Sequence, residues 1–118
     1  MRFSQIIGFL IFLTFDLMIL GAGVRAMDAG LTCPDWPMCF GHAVPEFHIG
    51  VYLEFIHRSI AGILGMIYAG CFVFALFNKE LKAVRWMMTV SLLLLLSQII
   101  MGGLTVLKLL APGIVTLH

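Results

Sequence analysis

The chain has 118 residues, of which 62% are hydrophobic and 11% are charged, and its mean hydropathy is +1.11. Soluble domains usually carry about 25% charged residues, so this composition indicates an integral membrane protein rather than a water-soluble one. The formal net charge of +1 provides no basic surface of the kind that binds nucleic acid.

Three apolar segments are long enough to form transmembrane helices, which need about 20 residues to cross about 30 Å of hydrocarbon. In chain order, the predicted segments are the spans 5–24, 49–77 and 86–107, the loops 25–48 and 78–85, a further loop 108–115, and the start of a fourth helix at 116–118. The predicted fold class is therefore an all-α transmembrane bundle, with one domain over residues 1–118.

The loops indicate the orientation of the chain in the membrane. The segment 78–85 carries Lys79, Lys82 and Arg85 against Glu80, and cytoplasmic loops are enriched in Lys and Arg. We therefore predict that the N-terminus and this segment face the cytoplasm, and that the loop 25–48 lies on the outer side.

Two ionisable residues lie near the outer end of the second predicted helix. Glu54 and His57 are three positions apart and share one helical face. Ionisable groups inside a span usually face the protein interior and mark a functional site. The alternative is that both side chains reach up to the membrane surface.

Small residues on all three predicted spans occur near the depth of His57, about 9 Å below the start of its helix. On the first and third spans they are Gly21, Gly23, Gly102 and Gly103. On the second span, small residues continue beyond His57 at Ala61, Gly62, Gly65 and Ala69. One interpretation is close helix packing, and the other is clearance for a flat macrocycle. His118 should reach a similar depth, and two imidazoles from different helices suit an axially ligated haem.

Three further charged residues lie in or beside these spans. Arg25 and Arg58 are close to the level of His57 and are predicted to pair with haem propionates, with anchoring at the membrane surface as the alternative. Asp16 lies near the middle of the first span, where a proton relay and a helix-packing contact both remain open.

The outer loop contains Cys33 and Cys39 around two prolines. On the oxidising side of a membrane such a pair is predicted to form a disulfide, and a zinc site with His42 and His48 is the alternative. The pattern leaves open whether the pair is structural or redox-active. Cys71, inside the second span, is predicted to be a small buried apolar residue.

Four motifs resemble the N-terminal half of the haem A synthase family, CtaA/COX15, in the family's order. They are Gly23-Val24-Arg25 with Gly30 to Gly41, then Glu54-Phe55-Ile56-His57-Arg58, Gly102-Gly103-Leu104-Thr105-Val106, and Val115-Thr116-Leu117-His118. The resemblance covers nearly the whole chain.

The resemblance implies an oxidoreductase of the bacterial cytoplasmic membrane that oxidises the C8 methyl group of haem O to a formyl group, giving haem A. In this family two four-helix bundles occur in tandem, and the second holds a haem b. The resemblance implies that His57 and His118 are axial ligands, that Glu54 is the catalytic acid, and that Cys33 and Cys39 are the loop pair of one class. The implied partners are haem, lipid, haem O synthase, quinol or another electron donor, and a second copy of the chain.

The sequence departs from the family pattern because it stops at His118. We expect either a fragment or a half-size protein, and we expect the 118 residues alone to be incompetent for turnover. Two other functions remain open from the residues. One is a quinone-linked thiol oxidase that uses the outer cysteine pair, and the other is a membrane haem-binding electron carrier without catalytic activity.

Overall fold

The structure is a computed structural model that describes residues 2–118, so Met1 of the predicted bundle lies outside the described residues. Within that range the chain forms α1 (Phe3–Ala26), α2 (Ile49–Phe77), a 3-10 helix (Lys79–Val84), α3 (Arg85–Leu107) and α4 (Pro112–Leu117). None of the described residues belongs to a β-strand, and only an isolated bridge occurs in the outer loop.

Three of the helical segments are long and apolar enough to cross a membrane. They are Phe3–Ala26, Ile49–Phe77 and the continuous stretch Lys79–Leu107, with mean hydropathies of 2.2, 2.3 and 2.2. The predicted fold class, an all-α membrane bundle with three long helices and the beginning of a fourth, is confirmed.

The two short connections are more helical than the sequence pattern indicates. Within 78–85, the side chain of Asn78 accepts a hydrogen bond from the Glu80 amide, and Leu81 packs against the core, which together favour a helical turn. Within 108–115, α4 already begins at Pro112. Proline is favoured in the first helical turn because no intrahelical partner is needed there for its missing N–H.

The helix α2 is the centre of the bundle. Its residues Leu64, Cys71 and Ala75 form a buried cluster with Leu10 of α1 and Met88 of α3. Among the described residues, α1 and α3 each pack against α2 but do not approach one another within 8 Å between Cα atoms. A cleft therefore remains between α1 and α3 along one side of α2.

The two helices that border this cleft end in the same way. At the end of α1 the Ala29 amide donates to the Val24 carbonyl at 2.9 Å, and at the end of α3 the Leu110 amide donates to the Thr105 carbonyl at 2.7 Å. This is the Schellman arrangement, which needs a left-handed residue directly after the helix cap. Asp28 and Leu109 take that conformation, with φ of 51° and 50°. The chain therefore turns sharply at the same end of both helices.

Candidate functional site

His57 projects from α2 towards α1 and is half-buried. Its ring lies directly against the backbone of Gly21, where an added Cβ would be 2.9 Å from the Cε1 atom of His57. Since carbon atoms normally approach to about 3.5–4.0 Å, the ring occupies space that only a glycine leaves free.

His118 directly follows α4, and its ring lies against the backbone of α3, just as the ring of His57 lies against α1. A Cβ added at Gly102 would lie 2.9 Å from the Cε1 atom of His118. The two imidazole centroids are 6.5 Å apart, and their planes are inclined at 85°. One glycine on each wall of the cleft therefore seats one imidazole, and the two rings meet between α1 and α3.

One polar atom at this meeting point has no partner in the protein. The Nδ1 atom of His57 is buried and makes no hydrogen bond within residues 2–118. A buried polar atom without a partner costs about 1–3 kcal/mol. This nitrogen lies beside Gly21 of α1, about 3.5 Å from the position of an added Cβ.

The other glycines near this level have different surroundings. A Cβ at Gly103 would meet the indole of Trp36 at 2.9 Å, and a Cβ at Gly65 would meet the Ile99 side chain at 3.2 Å. Gly23 and Gly62 face open space, with no heavy atom within 4 Å of an added Cβ. Gly65 therefore serves the packing of α2 against α3, which was the alternative interpretation of the small residues beyond His57.

Glu54 is buried, with 4% of its surface exposed, and it holds the outer loop. Its Oε2 atom accepts hydrogen bonds from the Thr32 hydroxyl at 2.8 Å and from the Cys33 amide at 2.9 Å. Its Oε1 atom forms an ion pair with Arg58 one turn further along α2. Both carboxylate oxygens therefore have donors from the protein itself.

The guanidinium of Arg58 also binds the outer loop. One of its terminal nitrogens donates to the carbonyls of Asp35 and Met38, at 2.6 and 2.9 Å, and the other donates to the carbonyl of Cys33 at 3.2 Å. Arg25 differs, because it is exposed in the last turn of α1 and makes no side-chain hydrogen bond within the described residues. The structure thus engages Arg58 with the loop and leaves Arg25 accessible.

The loop itself is closed by a disulfide between Cys33 and Cys39, as the sequence predicts. Both cysteines are buried, at 0% and 2% exposure, and their sulfurs are not available as zinc thiolates. Residues 2–118 contain no group of three or more His, Cys, Asp or Glu side chains that could hold a metal ion. His42 and His48 are exposed.

Asp35 stabilises the tip of this loop. Its carboxylate accepts hydrogen bonds from the amides of Phe40 at 2.7 Å and Gly41 at 2.8 Å. The bond from the Gly41 amide is the main cause that lowers the pKa of Asp35 below its ordinary value of 3.8. Phe40 and Gly41 both have positive φ, of 54° and 70°, so the chain reverses there within two residues.

Trp36 attaches the loop to α3 and was not singled out by the sequence. Its indole lies on Gly103, which is adjacent to the seat of His118. The sequence does contain a signal for this contact. Gly102 and Gly103 leave two adjacent positions without side chains, and the predicted histidine, His118, can occupy only one of them. The loop therefore lies across the beginning of α2 and the end of α3 and is attached at both.

Two residues inside the spans lie apart from the histidine pair. Asp16 is half-buried in α1 and makes no side-chain hydrogen bond among residues 2–118. Cys71 is a free, buried cysteine in the apolar cluster of the bundle, as predicted.

The protein is a helical membrane bundle in which a disulfide closes the loop between α1 and α2, and His57 and His118 meet in the cleft between α1 and α3. The family model described as COX15-CtaA, cytochrome oxidase assembly protein, matches residues 4–118. The chain belongs to this family.

Curated relatives agree with this assignment. The chain is similar to the heme A synthase of Shewanella oneidensis, with 32% identity over 136 aligned residues that cover 100% of this chain and 41% of that protein. It is also similar to the heme A synthase of Geobacillus thermodenitrificans, with 31% identity over 90% of this chain and 33% of that protein. The chain therefore spans less than half the length of these relatives.

A relative with a different name matches as well. A protoheme IX farnesyltransferase of Halobacterium salinarum is 28% identical over 91 residues, which cover 77% of this chain and 21% of that protein. No solved structure matches the chain.

Proposed function

We propose that this chain forms the haem-binding bundle of a haem A synthase, with His57 and His118 as the axial ligands of the haem iron. The observation that carries the proposal is the pair of imidazoles, 6.5 Å apart and each seated on a glycine of a different helix. An oxidoreductase of this kind also agrees with the relatives named heme A synthase.

The spacing of His57 and His118 fits a haem iron. An imidazole nitrogen lies about 2 Å from the metal that it binds, so two rings that share one metal have their centres about 6 Å apart. The observed separation of 6.5 Å is close to that value. Arg25 lies one turn beyond Gly21 on the same face of α1, which supports its predicted contact with a propionate.

The proposed substrate is haem O and the proposed product is haem A. Converting the methyl group of the ring to a formyl group removes four electrons and adds one oxygen atom. If molecular oxygen is the oxidant, its second oxygen atom would be reduced to water by electrons from quinol or another electron donor. A protoheme IX farnesyltransferase contains a segment similar to this chain. We propose that haem O synthase, which makes farnesylated haem, delivers the substrate, and that a second bundle with haem b or a second copy completes the enzyme.

We propose that Glu54 is the catalytic acid, on the condition that one of its present hydrogen-bond donors moves away. Its two oxygens already accept from Thr32, Cys33 and Arg58. To accept a proton from a bound ring, the carboxylate must first lose at least one of these donors. The same condition applies to Arg58, whose predicted contact with a propionate requires release of the loop carbonyls.

The proposed setting is the bacterial cytoplasmic membrane, with the N-terminus inside and the disulfide loop outside. The cationic segment that contains Lys79, Lys82 and Arg85 supports this orientation. We propose that these residues form one bundle of such an enzyme, because the chain spans less than half the length of the relatives named heme A synthase.

The position of the haem can be tested with the two tryptophans of the chain. Trp36 lies beside the seat of His118, whereas Trp86 lies 16 residues before Gly102 on the same helix, about 24 Å away along its axis. Haem added to purified protein should produce a Soret band. Because the rate of energy transfer to haem falls steeply with distance, haem should shorten the fluorescence lifetime of Trp36 in W86F much more than that of Trp86 in W36F.

The control is H57A, in which the Soret band and the selective quenching should both be lost. Equal fluorescence lifetimes of the two tryptophans in the presence of haem would contradict the proposed site, because haem dissolved in the detergent or lipid would reach both. Extraction of pigment from the complete protein distinguishes a synthase from an electron carrier. A synthase should hold haem O, an oxidised intermediate and haem A, and a carrier should hold one haem alone.

A further inference from the structure

A groove lies between α1 and α2, in the half of the bundle remote from His57. Its volume is about 370 Å³ and its lining is apolar, formed by Phe3, Ile6, Ile67, Gly70, Cys71 and Phe74. At Gly70 an added Cβ would find no heavy atom within 4 Å, so the floor of the groove is open. We call this feature the α1–α2 groove.

The groove continues to the end of α2. A second cavity of about 420 Å³ shares Phe74 with it and is otherwise lined by Phe77, Asn78 and Lys79. Phe77 is 83% exposed, so this part of the wall is open to lipid. Lys79 is exposed just beyond the helix and forms no ion pair within residues 2–118. The groove and this second depression together form a mainly apolar surface that is open to lipid and has a cation at one end.

Other cations lie at the same end of the bundle. The rings of Phe3 and Phe74 stack at 6.1 Å, which brings the start of α1, with exposed Arg2, close to the end of α2. Lys82 is also exposed in the 3-10 helix, and Glu80 is the acid of this segment. Lys and Arg near a membrane surface each attract anionic lipid by about 1 kcal/mol.

We propose that the α1–α2 groove binds one anionic phospholipid, with an acyl chain along Gly70 and Phe74 and the phosphate at Lys79. The apolar length and the single cationic end match an amphiphile that has an anionic head. A second copy of the chain in the same orientation fits less well, because its own Lys79 and Lys82 would lie against these cations.

The proposal is tested by native mass spectrometry of delipidated protein that is titrated with phosphatidylglycerol or with phosphatidylcholine of the same acyl chains. The wild-type protein should retain one phosphatidylglycerol in preference to phosphatidylcholine. Lys79→Gln should weaken phosphatidylglycerol binding about fivefold, which is the equivalent of about 1 kcal/mol. Lys82→Gln is the matched control and should have a much smaller effect, because Lys82 lines neither the groove nor the depression at Lys79 that continues it.

A second pair of variants tests the apolar part. Gly70→Leu should fill the floor of the groove and reduce the binding of both lipids. Gly62→Leu, which also enters open space on α2 but lies outside the groove, should leave binding unchanged. Equal effects of Lys79→Gln and Lys82→Gln, equal retention of the two lipids, or unchanged binding in Gly70→Leu would overturn the proposal. A dimer that Gly70→Leu dissociates would also overturn it and would identify the groove as an interface between copies.

Discussion

Replacing Gly21 with alanine tests whether a glycine seat positions the proposed axial ligand. The new Cβ would lie 2.9 Å from the Cε1 atom of His57, whereas carbon atoms pack best at about 3.5–4.0 Å. The ring must therefore move by roughly 0.6–1 Å. Metal–ligand distances are held to within about 0.2 Å, so a displaced imidazole is a poor ligand.

The expected magnitudes separate stability from ligand binding. Crowding of this kind costs about 1–3 kcal/mol, and alanine offsets about 1 kcal/mol of it through its higher helix propensity. The free energy of unfolding of G21A should therefore fall by about 0–2 kcal/mol. Haem affinity should fall about 10- to 100-fold, as it does when a group that orients a metal ligand is changed.

Gly23→Ala is the matched control. It lies two residues further along α1 and faces open space, so the substitution should leave haem affinity unchanged and stabilise the helix slightly. Haem titration followed by the Soret band measures affinity, and thermal unfolding in detergent measures stability. If G21A and G23A bind haem equally well, with the spectrum of the wild-type protein, Gly21 does not position an axial ligand.

Two further predictions concern the outer loop. Arg58→Gln should destabilise the protein by about 3–5 kcal/mol, because it leaves the buried carboxylate of Glu54 without its ion-pair partner, and proteolysis of the loop should accelerate. Arg25→Gln, at an exposed position, should change stability by less than about 0.5 kcal/mol; similar proteolysis rates in the two variants would contradict this role of Arg58. Acidification should loosen the loop, because the pKa of Asp35 is lowered in the folded protein. Its contribution is complete above about pH 4 and is lost as the pH falls through the folded pKa. Reduction of the disulfide by a phosphine should therefore accelerate below about pH 4 in the wild-type protein but not in Asp35→Asn.

Composition and hydropathy were sufficient to predict the fold class. A chain with 11% charged residues and three long apolar segments has few alternatives to a helical bundle in lipid. In hydrocarbon every backbone polar group needs an internal partner, and helices satisfy this within each segment. The sequence predicts a loop over 108–115, because the pair Pro112-Gly113 is equally typical of a turn, whereas the structure has a short helix that begins at Pro112.

The residues of the candidate site were identified from the sequence, but most of their contacts were not. The pattern indicated Glu54 and His57 on one face of α2, and His118 at a similar depth. It did not indicate that both oxygens of Glu54 bind the loop and Arg58, while His57 lies against α1. Such contacts depend on the rotation of each helix about its axis, and side-chain packing between helices sets that rotation.

The sequence by itself determined that this protein lies in lipid, that its fold is a helical bundle, and which types of residue are available at the candidate site. These follow from the free energy of placing each side chain in lipid, which is a property of single residues and their spacing. Only the tertiary structure decided that Gly21 and Gly102 seat the two imidazoles and that Trp36 lies on Gly103. Those contacts join residues that are distant in the chain, and they exist because neighbouring helices pack closely at positions where a glycine leaves room for a ring.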